Sequence, residues 1–67
     1  MAHVSRDLRL LARNIARLRR GIRLQVHELQ ALIDADLDCS GAARVLMHLN
    51  NDLRLFLEKR ERLTCSD

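Results

Sequence analysis

The sequence predicts an all-α protein, an antiparallel two-helix hairpin that dimerises into a four-helix bundle. Its 67 residues allow one domain, and they include no proline and only two glycines to break a helix. Apolar residues recur at alternating spacings of four and three along two segments, which is the pattern of heptad helices. A short polar stretch separates the segments, so we expect the second to fold back on the first.

The first segment, about residues 5–36, carries a continuous apolar seam. With Leu8 at heptad position a, the a and d positions hold Val4, Leu8, Leu11, Ile15, Leu18, Ile22, Gln25, Leu29 and Leu32. Residues at e, namely Ala12, Val26 and Ile33, widen this stripe. Ser5 is the predicted N-cap. The heptad phase runs through Gly21 unshifted, so we expect one helix, although a break there would give three shorter helices.

The second segment, about residues 41–63, repeats the pattern after a bend at about 37–40. Its seam consists of Ala42, Leu46, Leu49, Leu53, Phe56, Arg60 and Leu63, flanked by Ala43, Val45 and Leu57. Arg60 interrupts the seam, where its aliphatic stem can cover apolar surface. Either Asp38 or Ser40 is expected to cap the start of this helix.

A single hairpin cannot enclose its own apolar stripe, which is why we predict a homodimer. The expected core and dimer residues are Leu8, Leu11, Ile15, Leu18, Ile22, Leu29, Leu32, Leu46, Leu49, Leu53 and Phe56. With a bend near residue 38, residue i faces roughly residue 76 − i. Leu63 then lies beside Arg13, while Val4, Leu8 and Leu11 project beyond the second helix and need cover from a partner.

Charge and cysteine content restrict the class of protein. The net charge is +3, with a basic first segment, an acidic bend and a nearly balanced second segment. No apolar run approaches the 18 residues of a membrane span, so we expect no membrane association and a cytoplasmic protein. Cys39 and Cys65 lie at opposite ends of the predicted second helix, too far apart for a bridge within one chain.

The acidic bend is the first candidate for a chemical site. Asp34, Asp36 and Asp38 alternate as in a calcium loop, but Cys39 replaces the glycine at position 6 and Val45 the closing acid at position 12. We therefore interpret these acids as turn and capping residues. Neither Cys39 nor Cys65 has a nearby ligand, and His27 is interpreted as a surface residue. We predict no metal, no cofactor and no enzymatic activity, since no nucleophile–base pair is present.

The first helix also offers a candidate binding face. Arginines at its outer positions form a stripe about 27 Å long, and Leu10 and Leu24 are apolar residues on the same polar side. The partner-binding candidates are Leu10, Leu24, Arg6, Arg9, Arg13, Arg17, Arg20 and Arg23. Leucine rimmed by arginine is typical of protein interfaces. A regulatory or adaptor protein that binds and modulates a partner protein, as an inhibitor, is the expected function.

The alternative is an RNA- or DNA-binding regulator that uses the same arginine stripe on phosphates. The predicted layout resembles that of the small dimeric helical hairpins that regulate plasmid replication by binding RNA along their helices. This resemblance is one of architecture, with no shared motif, and it transfers no site residues.

Overall fold

The computed structural model describes the backbone of residues 2–65 and the side chains of residues 6–64. It contains helix α1 (Ala2–Asp34) and helix α2 (Ser40–Cys65), joined by residues 35–39. The two helices pack against each other as an all-helical hairpin of 52 × 14 × 12 Å. At 1.5 Å per residue, the 33 residues of α1 alone account for about 50 Å of that length.

Helix α1 begins earlier than expected and has no break. It starts at Ala2, so the prediction that Ser5 is the N-cap is wrong, and Ser5 lies within the first turn. Nothing in this stretch stops a helix, since glycine and proline are absent from it and alanine is the strongest helix former. The helix also runs through Gly21, because its remaining residues keep one heptad phase.

The seam residues of both helices line the contact between them. Leu11 and Ile15 are the most deeply buried, with 5% and 2% of their surface exposed. The half-buried residues of the seam are Leu8, Leu18, Ile22, Gln25, Leu29, Leu32, Ala42, Leu46, Leu49, Leu53, Phe56 and Leu63. Arg60 is exposed, and Leu57 covers the seam beside it. The side chain of Val4 lies outside the described residues.

Gln25, the one polar residue in the seam of α1, has a structural partner. Its Nε2 donates a hydrogen bond to the carbonyl oxygen of Ala42, at 3.4 Å, and so connects α1 to the first turn of α2. A half-buried amide needs such a partner, since leaving it unpaired costs free energy. The contact also fixes which turns of the two helices lie side by side.

Helix α2 lies toward the g side of the α1 seam. Asn14 and Gly21, both at g, are half-buried, whereas Ala12, Val26 and Ile33 at e are exposed. A methyl group added to Gly21 would meet the side chain of Leu49 at 3.8 Å. The e residues, which widen the apolar stripe of α1, therefore lie outside the contact within the hairpin, because α2 occupies the other edge of the seam.

The end of α1 is a Schellman motif centred on Asp36. This residue has a left-handed backbone, with φ of 59°, and its N–H donates to the carbonyl of Ile33 at 3.0 Å. The next N–H, that of Leu37, donates to the carbonyl of Leu32 at 2.9 Å. These two bonds satisfy carbonyl groups that the helix end leaves without partners.

The start of α2 is capped by Asp38. Its Oδ1 accepts the backbone N–H of Ser40 at 3.0 Å and the hydroxyl of Ser40 at 2.8 Å. These backbone and hydroxyl hydrogen bonds lower the pKa of Asp38 from its ordinary value of 3.8. Of the two capping candidates, Asp38 is thus the acceptor and Ser40 the first helical residue.

The expected register of the hairpin is wrong. The contacting pairs Gln25–Ala42 and Gly21–Leu49 have residue numbers that add up to 67 and 70, not 76. The cause is the connection, since residues 37–39 after the left-handed turn have no regular structure and can reach back about 10 Å along α1. As a result α2 starts beside an earlier turn of α1 and extends farther toward its beginning.

This register removes the predicted apolar overhang. Leu11 is nearly inaccessible and Leu8 is half-buried, so neither projects beyond α2. The uncovered apolar residues lie instead near the connection, where Ile33 and Leu37 are exposed.

Candidate interaction surfaces

The outer side of α1 carries the predicted partner-binding arginines. Arg6, Arg9, Arg13, Arg17, Arg20 and Arg23 are all exposed. Arg6, Arg13 and Arg20 follow one another at heptad position f, about 10.5 Å apart. Within residues 6–64, no ion pair ties any of the six to a carboxylate. Their guanidinium groups are therefore free to contact an external carboxylate or phosphate.

Two leucines lie among these arginines. Leu10 and Leu24, both at position c of α1, are 50% and 65% exposed. Each is thus a large apolar side chain in water that α2 does not cover. We call these two leucines, together with the six arginines, the leucine–arginine face.

Leu10 separates two shallow depressions on this side of the hairpin. The first, on the surface of α1 and about 480 Å³ in volume, is lined by Arg6, Arg9, Leu10 and Arg13. The second, about 240 Å³, opens between the helices and is lined by Asp7, Leu10, Leu11, Asn14, Phe56 and Lys59. Leu11 and Phe56 form an apolar floor there, and Asp7 and Lys59 supply opposite charges at its rim. A side chain inserted beside Leu10 would find apolar contact and a cationic edge.

The opposite flank of the hairpin is also apolar. In an antiparallel helix pair the e positions of both helices share one side. Arg19 and Asn50 lie at e in the middle of that side. Its apolar residues are Ala12, Val26 and Ile33 of α1, and Ala43, Leu57 and the neighbouring Met47 of α2. We call these six residues the apolar flank. All are exposed except Leu57, which is half-buried.

The three acids of the bend each have a local structural role. Asp36 forms the left-handed turn, and Asp38 caps α2. The Oδ1 of Asp34 accepts a hydrogen bond from Nε2 of Gln30, one turn earlier, at 3.0 Å. The described residues contain no group of three or more His, Cys, Asp or Glu side chains placed to hold a metal ion. Cys39 is a free, half-buried thiol, and the side chain of Cys65 lies outside the described residues.

No protein-family model matches the chain, and neither the curated proteins nor the solved structures contain a significant match to it. Over residues 2–65, neither helix combines the length and apolar character that a bilayer crossing requires.

Sequence reasoning missed two parts of these surfaces. Lys59 and Phe56 line the depression beside Leu10, whereas the expected register placed them well away from it. Val45 was assigned to the seam edge of α2 but is 45% exposed. The polar Gln25 in an otherwise apolar seam was the available signal, because a half-buried amide needs a hydrogen-bond partner on the facing helix.

Proposed function

We propose that the chain is a small, non-enzymatic, cytoplasmic regulatory or adaptor protein. It acts as a homodimeric helical hairpin, a four-helix bundle, and binds and inhibits a partner protein. The exposure of Leu10 and Leu24 carries this proposal, together with the arginines around them, which pair with no carboxylate of residues 6–64. Burying what remains exposed of the two leucines against a partner is worth about 1–2 kcal/mol each, and the arginines supply hydrogen bonds at the rim.

The same observation favours a protein partner over nucleic acid. Leucine has no partner among phosphate groups, and stacking on bases requires aromatic side chains, of which the chain has only Phe56. The depression between the helices beside Leu10 has an apolar floor and a mixed rim, and the one on the surface of α1 has three arginines, which together suit an amphipathic helix or loop with acidic residues.

Affinity purification with paired variants tests this proposal. The bait is the full chain, compared with Leu10→Ser/Leu24→Ser and with the control Leu37→Ser/Leu55→Ser, which removes two comparably exposed leucines outside both surfaces. We expect one or a few proteins that bind the wild type and the control but not the Leu10→Ser/Leu24→Ser variant. Each candidate partner, once purified, must then bind the wild type and the control variant more tightly than the Leu10→Ser/Leu24→Ser variant in a direct titration. Partners lost equally from both variants, or from neither, would contradict the proposal.

Nucleic-acid binding remains the second candidate, supported by the six exposed arginines without ion pairs. If it holds, mobility shifts with RNA and duplex DNA should weaken steeply between about 50 and 300 mM salt. Arg13→Gln/Arg17→Gln/Arg20→Gln should abolish binding, whereas Arg44→Gln/Arg54→Gln/Arg60→Gln, with the same loss of charge on α2, should retain most of it. Absence of binding at low salt would eliminate this candidate.

A further inference from the structure

We infer that a second copy of the chain packs on the apolar flank, with the bends of the two protomers at opposite ends of the bundle. This inference rests on the homodimer of the proposed function and adds which face forms it and in which orientation. Leu10 and Leu24, at position c on the other side of α1, stay outside the bundle, so each dimer presents them twice.

The exposed surface of one hairpin supplies the first argument. The chain exposes 5592 Å², whereas a compact monomer of 7.8 kDa exposes about 4,400 Å². The excess of about 1,200 Å² is more than the roughly 800 Å² that each partner buries in a standard interface. One hairpin therefore has enough surplus surface for a stable dimer. The apolar flank can form that dimer without covering Leu10 and Leu24, and Arg19 lies in the middle of this side.

The shape of the apolar flank suits a second copy. The contacts between the helices place residue i of α1 level with roughly residue 69 − i of α2. Ala12 is then level with Leu57, and Val26 with Ala43. At each of these two levels along the hairpin, a small side chain lies beside a larger one. A twofold axis through the level of Arg19 and Asn50 places the alanine of one copy against the larger side chain of the other. Interlocking of this kind is what close helix packing requires.

Charge determines the orientation of the two copies. Side-chain size does not, because small residues pack against large ones whether the two bends lie at the same end of the bundle or at opposite ends. Residues 24–45, next to the bend, hold four acids and Arg44, a net charge of −3. The half away from the bend, which we call the open half, consists of residues 6–23 and 46–64. Residues 6–23 hold seven arginines and Asp7, and residues 46–64 hold four basic and three acidic side chains, so the net charge of the open half is +7. Neighbouring helices lie 8–10 Å apart, within the Debye length at 0.1 M salt. Opposed bends place each acidic half against a basic half, and only the two Arg19 side chains at the twofold axis meet a like charge. Paired bends bring the two +7 halves together along their whole length.

A matched pair of substitutions tests the face. Val26 on the apolar flank and Val45 on the opposite flank are 46% and 45% exposed, so Val26→Glu and Val45→Glu introduce the same charge at the same exposure. Sedimentation equilibrium should show dimeric wild type and dimeric Val45→Glu. The Val26→Glu dimer should dissociate at least about 100-fold more readily, because each dimer carries the change twice and a tenfold loss per site is 1.4 kcal/mol. The reverse order would overturn the face and leave the homodimer standing, whereas a monomeric wild type would overturn both.

Disulfide trapping tests the orientation without disturbing the core. In a Cys39→Ser/Cys65→Ser background, Arg19→Cys should oxidise to a covalent dimer, because opposed bends bring position 19 against itself. The control Asp52→Cys, on the other flank, should stay uncrosslinked. If Arg19→Cys chains crosslink only when mixed with Asn50→Cys chains, the bends lie together and the inferred orientation is wrong. Crosslinking of Asp52→Cys alone would place the interface on the other flank.

Discussion

Leu11 and Ile15, the most deeply buried side chains described, lie far from the connection, whereas Ile33 and Leu37 beside it remain exposed. A hairpin is usually pictured as tightest at its turn, and here the open half is packed better than the bend half. The difference follows from the connection. Because residues 37–39 reach back along α1, α2 covers Leu11 and Ile15 closely, whereas the last turns of α1 are covered only in part and Ile33 is exposed. A short connection thus determines packing at the far end of the molecule.

The largest expected effect tests this contrast directly. Ile15→Ala, in the open half, should lower the free energy of unfolding by about 3 kcal/mol, since it opens a cavity at a site that is 2% exposed. Leu29→Ala, at a half-buried site in the bend half, should cost about 1.5 kcal/mol. Urea denaturation at one fixed protein concentration measures both, because association contributes to stability. Equal losses would mean that the two halves are packed alike.

Gly21→Ala is expected to stabilise the hairpin where the two halves meet. Removing a glycine from a helix interior gains up to about 1 kcal/mol. The added methyl group would meet Leu49 at 3.8 Å, which is ordinary van der Waals contact. Thermal unfolding should show the gain, and Gly41→Ala, with open space around it, serves as the control for propensity alone. A loss of stability at Gly21 only would show that α2 approaches more closely than this distance.

Asp36→Gly should stabilise the bend by about 0.7 kcal/mol. Asp36 has φ of 59°, a conformation that glycine adopts without the steric cost of a side chain. Asp34→Gly, two residues earlier and within α1, should instead destabilise by about 0.3 kcal/mol, the difference in helix propensity between aspartate and glycine. Opposite signs for the same substitution, measured by chemical denaturation, would sharpen the assignment of the helix end. A loss at both positions would contradict the left-handed turn.

The smallest expected effect is the pH dependence of the Asp38 cap. Since its hydrogen bonds to Ser40 lower the pKa of Asp38 below 3.8, the carboxylate stabilises the fold above pH 3.8, and this is lost as the pH falls through the lowered pKa. Asp38→Asn keeps an acceptor but does not titrate. The melting temperature of the wild type relative to Asp38→Asn should therefore be constant near neutrality and decline below pH 3.8. A constant difference down to pH 2 would contradict the cap.

The sequence predicted which residues of α1 are exposed on the candidate surface, but not which residues of α2 lie beside them. Arg13 and Leu24 were assigned to the outer side of α1 from heptad position alone, and both are exposed. Periodicity within one helix is enough for that, because it depends only on 3.6 residues per turn. Lys59 beside Leu10 was not predictable in this way, since their proximity depends on the relative level of two helices.

By itself the sequence determined that there are two helices, which positions form the seam, and that a polar stretch reverses the chain. These properties are local, since spacing, helix propensity and the absence of proline decide them within a few turns. Only the tertiary structure decided the register, the cap at Asp38 and the edge of the seam that α2 occupies. Those features depend on how far residues 37–39 reach back along α1, and on the close approach of Leu49 to Gly21, which has no side chain. Both involve contacts between distant parts of the chain, which the periodicity of one helix does not predict.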